Sequence, residues 1–297
     1  MSDPAGAGPG VLRESIVRGA LLAVFAVLLF STMSALVKWS SAGYAVTQLA
    51  FFRATFAMVP ILPMFLAQGR SSFARPTWLG GIVLRGAIGV AGMVMVFYGV
   101  ANLPLADSVA ISFTVPLWVT ALAAPFLGER VGGRGWIAVA AGFMGVMIIA
   151  PPTGRVDLVP ALVCLIGNGL IACTLILLRR LGRHHRTATI VFYHTVALII
   201  GTACLAPLDW RTPDAADWPF LVALGILGGT AHLVLTQAYR LAPAPTVAAI
   251  DYTAIFWGVL FGYAIWGETP DANLALGAAI VIASGLYIVR RRPPALN

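Results

Sequence analysis

Long apolar segments separated by short polar connections dominate the pattern of this chain. Each is about 20 residues long, which is the length that an α-helix needs to cross the hydrocarbon core of a bilayer. The ten segments are 17–38, 45–67, 78–101, 105–127, 135–151, 158–178, 188–207, 218–241, 245–266 and 272–290. The pattern predicts an all-α integral membrane protein with ten transmembrane helices.

One stretch of the first half recurs in the second half without a gap. Pro104 to Glu129 reads PLADSVAISFTVPLWVTALAAPFLGE, and Pro243 to Glu268 reads PAPTVAAIDYTAIFWGVLFGYAIWGE. A constant offset of 139 residues aligns a proline, a threonine, a tryptophan and the closing Gly-Glu of both stretches. We interpret the chain as two repeats of five spans, 17–151 and 158–290. Short tails, 1–16 and 291–297, flank the repeats.

Basic residues predict how the spans are oriented. With the N-terminus in the cytoplasm, the inner connections and ends hold fourteen Arg residues, and the outer ones hold only Lys38, Arg155 and Arg211. Cytoplasmic loops of membrane proteins carry such an excess of Lys and Arg, so we expect both termini inside a cell inner membrane. Five spans per half is an odd number, so the second half enters from the opposite side. The fold prediction is therefore an inverted 5+5 repeat, with Glu129 inside and Glu268 outside.

Composition excludes several other classes of protein. Of the 297 residues, 60% are hydrophobic and 10% charged, and the mean hydropathy is +0.91, which leaves too little polar surface for a soluble domain. The net charge of +8 lies in short runs between apolar segments, as topology signals do, and predicts no nucleic-acid partner. Three cysteines without paired spacing predict neither disulfides nor a metal site. We find no catalytic or phosphate-binding motif, and so predict neither an enzyme nor a cofactor.

Several of these residues resemble a known family. The closings FLGERV and IWGETP, the TVPLW and TAIFW cores, Lys38 at the end of the first span and Phe-Phe-Arg at 51–53 resemble the drug/metabolite transporter superfamily, in its ten-helix form with two EamA-type domains. The resemblance implies a transporter of small metabolites, amino-acid exporters among them. It also implies a central cavity lined by the fourth and ninth helices with the first, third, sixth and eighth. His194 stands near where Arg53 would recur, so the halves differ there.

Ionisable residues within the spans are candidates for function, because a charge inside a bilayer is costly. Arg53 and Arg85 are each expected either to pair inside the bundle or to contact substrate. Asp251 is expected to hold an ammonium group, accept a proton or pair with an arginine. His232 is either a core histidine or a proton-coupling group; His194 has a weaker claim, from its depth alone. Lys38 either snorkels to the interface or, as the resemblance implies, faces the outer mouth of the cavity.

Uncharged residues add a second group of candidates. Asn168 needs a partner for its amide, from another helix or from a ligand, and Trp118 and Trp257 belong either to the cavity wall or to the core. Pro116 removes a backbone hydrogen bond from the fourth helix, and because Ile255 stands at its counterpart we predict unequal bending of the halves. The predicted substrate-binding and cavity residues are Lys38, Tyr98, Trp118, Asn168, His232, Gln237, Tyr239, Asp251, Tyr252 and Trp257. The predicted intramembrane charge and gating residues are Arg53, Arg85 and Pro116.

Small residues are dense at 80–92 and 224–231, and they predict close packing of the third helix against the eighth. Inverted repeats of this kind place a substrate site near the midplane and favour alternating access. We therefore predict a secondary transporter that exports small amphipathic metabolites, most of all amino acids, including aromatic and hydrophobic ones. The alternatives are a multidrug or other metabolite exporter or exchanger and, more remotely, a membrane-embedded enzyme or a receptor. The expected partners are a small-molecule substrate and membrane lipids, with the chain acting as a monomer or a homodimer.

Overall fold

The computed structural model describes residues 9–67, 79–128, 132–150, 157–181 and 187–291, and these ranges are helical apart from short connections. The helices are α1 (Pro9–Ser40), α2 (Val46–Ala67), α3 (Leu79–Asn102), α4 (Leu105–Ser112), α5 (Val115–Leu127), α6 (Gly133–Ile149), α7 (Leu158–Leu181), α8 (Thr187–Leu205), α9 (Trp218–Leu241), α10 (Ala244–Asp251), α11 (Ala254–Trp266) and α12 (Ala272–Arg291), with a 3-10 turn at Ala206–Asp209.

The predicted spans correspond to these helices. In the described ranges, nine segments are long and apolar enough to cross a membrane, and Gly133–Ile149 is a shorter apolar helix. Two predicted spans, 105–127 and 245–266, each consist of two consecutive helices, α4 with α5 and α10 with α11. The first helix begins at Pro9, earlier than the predicted residue 17. The prediction of an all-α membrane protein is confirmed.

The 139-residue repeat is also a repeat of helix boundaries. Adding 139 to the bounds of α3, α4 and α5 gives the bounds of α9, α10 and α11. The helices α5 and α11 end at Gly128 and Gly267, with φ of 68° and 69°. Such positive φ values suit glycine because it has no Cβ to clash with the backbone. The paired Gly-Glu closings therefore mark equivalent helix ends in the two halves.

Both halves are interrupted at the same position of the repeat. The breaks fall at Thr114 and Thr253, whose hydroxyls donate to the carbonyls of Ile111 and Ile250, each at 2.7 Å. Pro116 lies in the first turn of α5, where the missing N–H removes no helical hydrogen bond. We expected this proline to make the halves bend unequally, on the premise that proline disrupts the helix. That premise is wrong, because the second half breaks at the equivalent position without a proline.

The two halves interlock through reciprocal pairs of helices. The helix α3 packs along α7, and its repeat counterpart α9 packs along α1. The predicted packing of the third span against the eighth is therefore wrong in its partner, although small residues do form the contacts. A Cβ at Gly167 of α7 would lie 2.9 Å from Met95 of α3, and one at Gly225 of α9 would lie 2.4 Å from Phe56 of α2. Small residues allow this close approach, which membrane helices use in place of the hydrophobic effect.

Equivalent residues of the two halves meet next to the breaks. Phe113 and Tyr252, related by the 139-residue offset, pack edge to face with ring centroids 4.9 Å apart. Both side chains are buried. A residue that contacts its own repeat counterpart must lie close to the axis that relates the halves, so this axis passes near the two helix breaks.

Candidate functional site

Lys38 joins the two halves at the predicted outer end of the bundle. Its ammonium group donates to Oε1 of Glu268 and to the carbonyl of Leu103. The second carboxylate oxygen of Glu268 accepts from the backbone N–H of Leu105 at 2.8 Å, at the start of α4. The Trp266 ring lies 5.3 Å from the ammonium nitrogen. Lys38 therefore does not snorkel; it closes the end of α1 onto α4 and α11, and we call this contact the outer clasp.

Local sequence explains why Glu268 reaches this position. Gly267 ends α11 in a left-handed conformation, and the N–H of Glu268 then turns back to the carbonyl of Gly262 at 3.1 Å. The carboxylate beside the first turn of α4 meets N–H groups that lack a partner within the helix. It also interacts favourably with the positive end of that helix dipole. The repeated Gly-Glu motif thus aims a carboxylate from one half at a helix start in the other.

A second set of contacts, at the same predicted outer end, ties α1 and α2 to the connection before α9. The hydroxyl of Tyr44 donates to Asp217 at 2.5 Å. The hydrogen bond to Asp217 and, after it, burial raise the pKa of Tyr44 above its usual value. The Gln48 side chain donates to the carbonyl of Arg211 at 2.6 Å and accepts from its N–H at 3.1 Å. Tyr44, Arg211 and Asp217 line a pocket of about 440 Å³, and Lys38 lines it as well.

Arg53 and His232 form the centre of the interior. The Nη2 of Arg53, on α2, lies 3.1 Å from Nε2 of His232, on α9, and Nη1 lies 3.6 Å from the sulfur of Met93 on α3. A guanidinium carries only donors, so Nε2 of His232 must be the acceptor, and the imidazole is neutral with its proton on Nδ1. Phe30 packs edge to face on the imidazole at 4.9 Å.

Arg85 and His194 lie near this pair. The Nε of Arg85 donates to the carbonyl of Thr174 on α7 at 3.1 Å, one of the two outcomes expected from the sequence. Its Nη1 is buried without a partner in the described part of the chain. His194 fills the space beside Gly89 and lies within electrostatic reach of Arg53, Arg85 and His232. Within the described residues, no carboxylate forms an ion pair with either arginine.

Asp251 lies at the break between α10 and α11. It is the last residue of α10, its side chain is exposed, and it lies within electrostatic reach of Tyr239 and Tyr252. Tyr239 is 47% exposed, whereas Tyr252 is buried, and the hydroxyl of Tyr252 has no partner among the described residues. Asp251 and Tyr239 therefore share an accessible position near the break, and Tyr252 belongs to the core beside it.

Other predicted site residues lie elsewhere. Asn168 is buried and donates to the carbonyl of Cys164 in its own helix at 2.9 Å, so it makes neither contact predicted for it. Gln237 is exposed but stands about 140° around α9 from His232, away from the cavity face. The half-buried Tyr98 accepts a hydrogen bond through its carbonyl from Asn102.

The two tryptophans at equivalent positions have different surroundings. Trp118 packs against Phe143, with ring centroids 4.8 Å apart, and against Gly169 of α7. Trp257 packs against Phe261 at 5.8 Å. The indole N–H of Trp118 is buried without a partner in the described part of the chain, so this side chain carries an unused hydrogen-bond donor.

Sequence reasoning missed the partners in the outer contacts. Glu268 was recognised only as a repeat marker, and the pair of Tyr44 with Asp217 was not singled out. Asp107 was also missed: it is buried in the first turn of α4 and lies within electrostatic reach of Lys38 and Glu268. The signal for Glu268 was its place directly after a helix-ending glycine. Glu129, its counterpart, lies outside the described residues.

Two interlocked halves, interrupted helices and charges held inside the membrane are the features of a membrane transporter. Comparison with known proteins agrees. The model of the EamA-like transporter family matches residues 17–150 and 159–290. The chain therefore belongs to the EamA-like transporter family, within the drug/metabolite transporter superfamily, and is not an enzyme.

The most similar relatives include named transporters. The chain is 29% identical to the pseudopaline exporter CntI of Pseudomonas aeruginosa over 287 residues, which is 95% of this chain and 99% of the relative. It is 28% identical to a riboflavin transporter of Vibrio cholerae, over 94% of this chain and 95% of the relative. A crystal structure of another protein superposes with a TM-score of 0.64 at 20% identity, covering 91% of this chain and 96% of that one, and supports the fold.

Proposed function

We propose that this protein is a secondary active exporter of small amphipathic metabolites that carry a carboxylate and an amino group, amino acids first. It lies in the inner membrane with both termini cytoplasmic, and the repeats 17–151 and 158–290 act as the two exchanging halves. Alternating access is the mechanism that an inverted repeat favours. Membership of a family with named metabolite transporters supports the general activity; the substrate is inferred from the residues of this chain.

The proposal rests on one arrangement. An interrupted helix presents polar groups inside the bundle, while the outer end of the bundle is closed. The break between α10 and α11 exposes Asp251 and Thr253. Above it, the clasp of Lys38 with Glu268 and the pair of Tyr44 with Asp217 hold the outer ends together. A site that is closed outside accepts its substrate from the cytoplasm, as an exporter requires.

The charges inside suit a zwitterion. Asp251 ends an eight-residue helix, about 12 Å from its start, and His232 lies nine residues, or about 14 Å, from the end of α9. Since α9 ends and α10 begins within three residues of each other, the acidic and basic groups lie at similar depth. Asp251 would accept hydrogen bonds from an ammonium group, while the basic cluster would hold a carboxylate.

A second candidate substrate is an aromatic heterocycle. The riboflavin transporter of Vibrio cholerae aligns over nearly the whole chain, and Tyr239 offers an exposed aromatic ring near the helix break. This candidate needs no interior charge pair, so a comparison of charged and uncharged substrates separates it from the first.

The test is counterflow in proteoliposomes that contain the purified protein. Labelled L-phenylalanine or L-leucine is added outside vesicles that are empty or preloaded with the same unlabelled compound, with and without an imposed pH gradient. We expect saturable uptake that preloading stimulates, and competition by other amino acids. Riboflavin serves as the second labelled substrate. Uptake of riboflavin alone would overturn the amino-acid assignment and favour the aromatic candidate. Uptake of neither, in vesicles with folded protein, would overturn both.

A further inference from the structure

We propose that Arg53 and His232 form the subsite for the anionic group of the substrate, a carboxylate, at the centre of the membrane. This inference rests on the proposed function for its setting, since it assumes that a substrate enters the interior. The sequence alone left Arg53 between structural pairing and substrate contact, and His232 between a core histidine and a proton-coupling group. The proposal assigns both residues to one subsite.

The first argument is the unused hydrogen-bonding capacity of Arg53. Its guanidinium has five N–H donors; one is directed at a neutral imidazole and one at the weakly accepting sulfur of Met93. The Nε–H is buried without a partner in the described part of the chain. A carboxylate fits the planar edge of a guanidinium through two parallel hydrogen bonds. The group that Arg53 lacks is therefore the one that it binds best.

The second argument is uncompensated charge. Arg53 and Arg85 stay protonated because a guanidinium does not release its proton in proteins, and no described carboxylate pairs with either. His232 accepts from Arg53 in its neutral form and so brings no negative charge. Buried charges in membrane proteins are nearly always paired or functional. Two unpaired positive charges near each other create a potential that attracts an anion.

The third argument is access. His232, Thr236 and Tyr239 lie four and three residues apart on α9, on one face of the helix, and all three side chains are exposed. The same face continues to buried residues, among them Leu221 and Gly225, that pack inside the bundle. Because this face of α9 otherwise packs inward, the three exposed side chains line an internal space. They extend from the inner end of α9 to Arg53.

The test uses two probes that differ in charge but hardly in shape, 3-phenylpropionate and its neutral amide, 3-phenylpropanamide. Purified wild-type protein in detergent is heated with increasing probe, and the unfolding temperature is followed by tryptophan fluorescence. We expect the carboxylate to raise the unfolding temperature saturably, with an apparent affinity at least about tenfold above that of the amide, because the amide forms no charge-assisted pair with Arg53. Equal stabilisation by both probes, or none by either, overturns the proposal.

Variants locate the effect. Arg53→Gln should bring the affinity ratio of carboxylate to amide close to one, and Arg53→Lys should keep part of it, since lysine retains the charge but not the planar fork. The control is Arg240→Gln, which removes an exposed arginine from the end of α9 and should leave the ratio unchanged. If Arg53→Gln does not fold, His232→Gln is measured in its place and should also lower the ratio. A folded Arg53→Gln or His232→Gln variant with the wild-type ratio would overturn the subsite.

Binding and transport separate the two proposals. A charge preference that depends on Arg53, without amino-acid counterflow, would leave the anion subsite standing and remove the proposed substrate. Amino-acid counterflow by an Arg53→Gln variant with unchanged carboxylate preference would do the reverse.

Discussion

Individual residues differ most in whether their hydrogen bonds are satisfied. Lys38, Arg53 and Asp251 are all ionisable groups of apolar spans, yet their surroundings are unlike. Lys38 has a carboxylate and a carbonyl as partners, whereas among the described residues Arg53 has only an imidazole and a thioether. Asp251 is exposed at the helix break. Satisfied groups hold a structure together, and unsatisfied ones are available to a ligand.

Replacing Asp251 with Asn tests its role as the ammonium acceptor. The amide keeps the shape but loses the charge, so we expect the KM of L-phenylalanine counterflow to rise about tenfold, the equivalent of about 1.4 kcal/mol. Binding of 3-phenylpropionate, which has no ammonium group, should change little. The control is Asp209→Asn, an exposed carboxylate of the 3-10 turn after α8. An equal loss for both compounds would show that Asp251 acts on structure instead.

Tyr44 gives the outer end a dependence on pH. Its pKa is raised, chiefly because its hydroxyl donates to Asp217, so the bond stabilises the fold fully below the pKa of an unfolded tyrosine, about 10. As pH rises through the higher pKa of the folded protein, this contribution is lost. We expect Tyr44→Phe to lower stability by about 1 kcal/mol at pH 8, with the difference shrinking as pH rises through the raised pKa of Tyr44. Thermal unfolding across this range measures it, and a constant difference would contradict the mechanism.

The sequence indicated which side chains were costly but not which of them had partners. The depth of a residue in an apolar span can be read from the sequence, so Arg53, Arg85, His232 and Asp251 were identified as candidates. Lys38 and Glu268 are 230 residues apart, and nothing local to either one predicts their contact. For the same reason Asn168 was expected to reach outwards, although its amide bonds to a carbonyl one turn away.

At the scale of helices, the breaks and the closing glycines define how each half is built. The 139-residue register of the sequence repeat also relates the bounds of three helix pairs. From the sequence, a bend of the fourth helix was attributed to Pro116, because proline is the residue best known to disrupt a helix. A threonine hydroxyl bonded back to a carbonyl, as at Thr114 and Thr253, leaves no such signature, since the same residue is common inside regular membrane helices.

Replacing Gly267 with Ala tests the helix end. A Cβ at φ of 69° is strained by about 1 kcal/mol, and relief of that strain would move Glu268 away from Leu105. We expect Gly267→Ala to lower the unfolding temperature. Glu268→Ala should then lower it less in the Gly267→Ala protein than in the wild type. The control is Gly132→Ala, where φ is −65° and a Cβ meets no atom within 4 Å. Additive losses would show that Gly267 and Glu268 act independently.

At the scale of the whole molecule, the outer clasp joins the two halves at the predicted outer end. Removing one partner of a partly buried ion pair destabilises the arrangement, because the other charge is left without compensation. In the proposed alternating-access cycle the clasp opens and re-forms, so it must be strong enough to close the outer end and weak enough to release it. The exposed pair of Arg211 with Asp214, 3.9 Å apart, contributes little by comparison.

Lys38→Met and Glu268→Gln should each favour an open outer end. The reporter is Leu221→Cys, a fully buried position that lines the outer pocket, in protein whose three cysteines are replaced. We expect labelling by a membrane-impermeant thiol reagent to accelerate about tenfold, which corresponds to about 1.4 kcal/mol. The double variant Lys38→Glu with Glu268→Lys should restore only part of the closure, because an ammonium group cannot accept a hydrogen bond from the N–H of Leu105. The control, Asp214→Asn, should label at the original rate; unchanged labelling in both single variants would contradict the clasp.

The contact of Phe113 with Tyr252 has a different relation to transport from every other contact described. If the halves trade conformations, each residue takes over the surroundings of its counterpart, but these two rings are counterparts of each other and keep the same neighbour throughout. A substitution there weighs on the inward-open and outward-open forms alike. It therefore changes how fast the molecule passes between them more than which one it prefers. The two side chains of this pair differ by one atom, the phenolic oxygen of Tyr252. Within the pair, this oxygen is therefore the feature that distinguishes one half from the other.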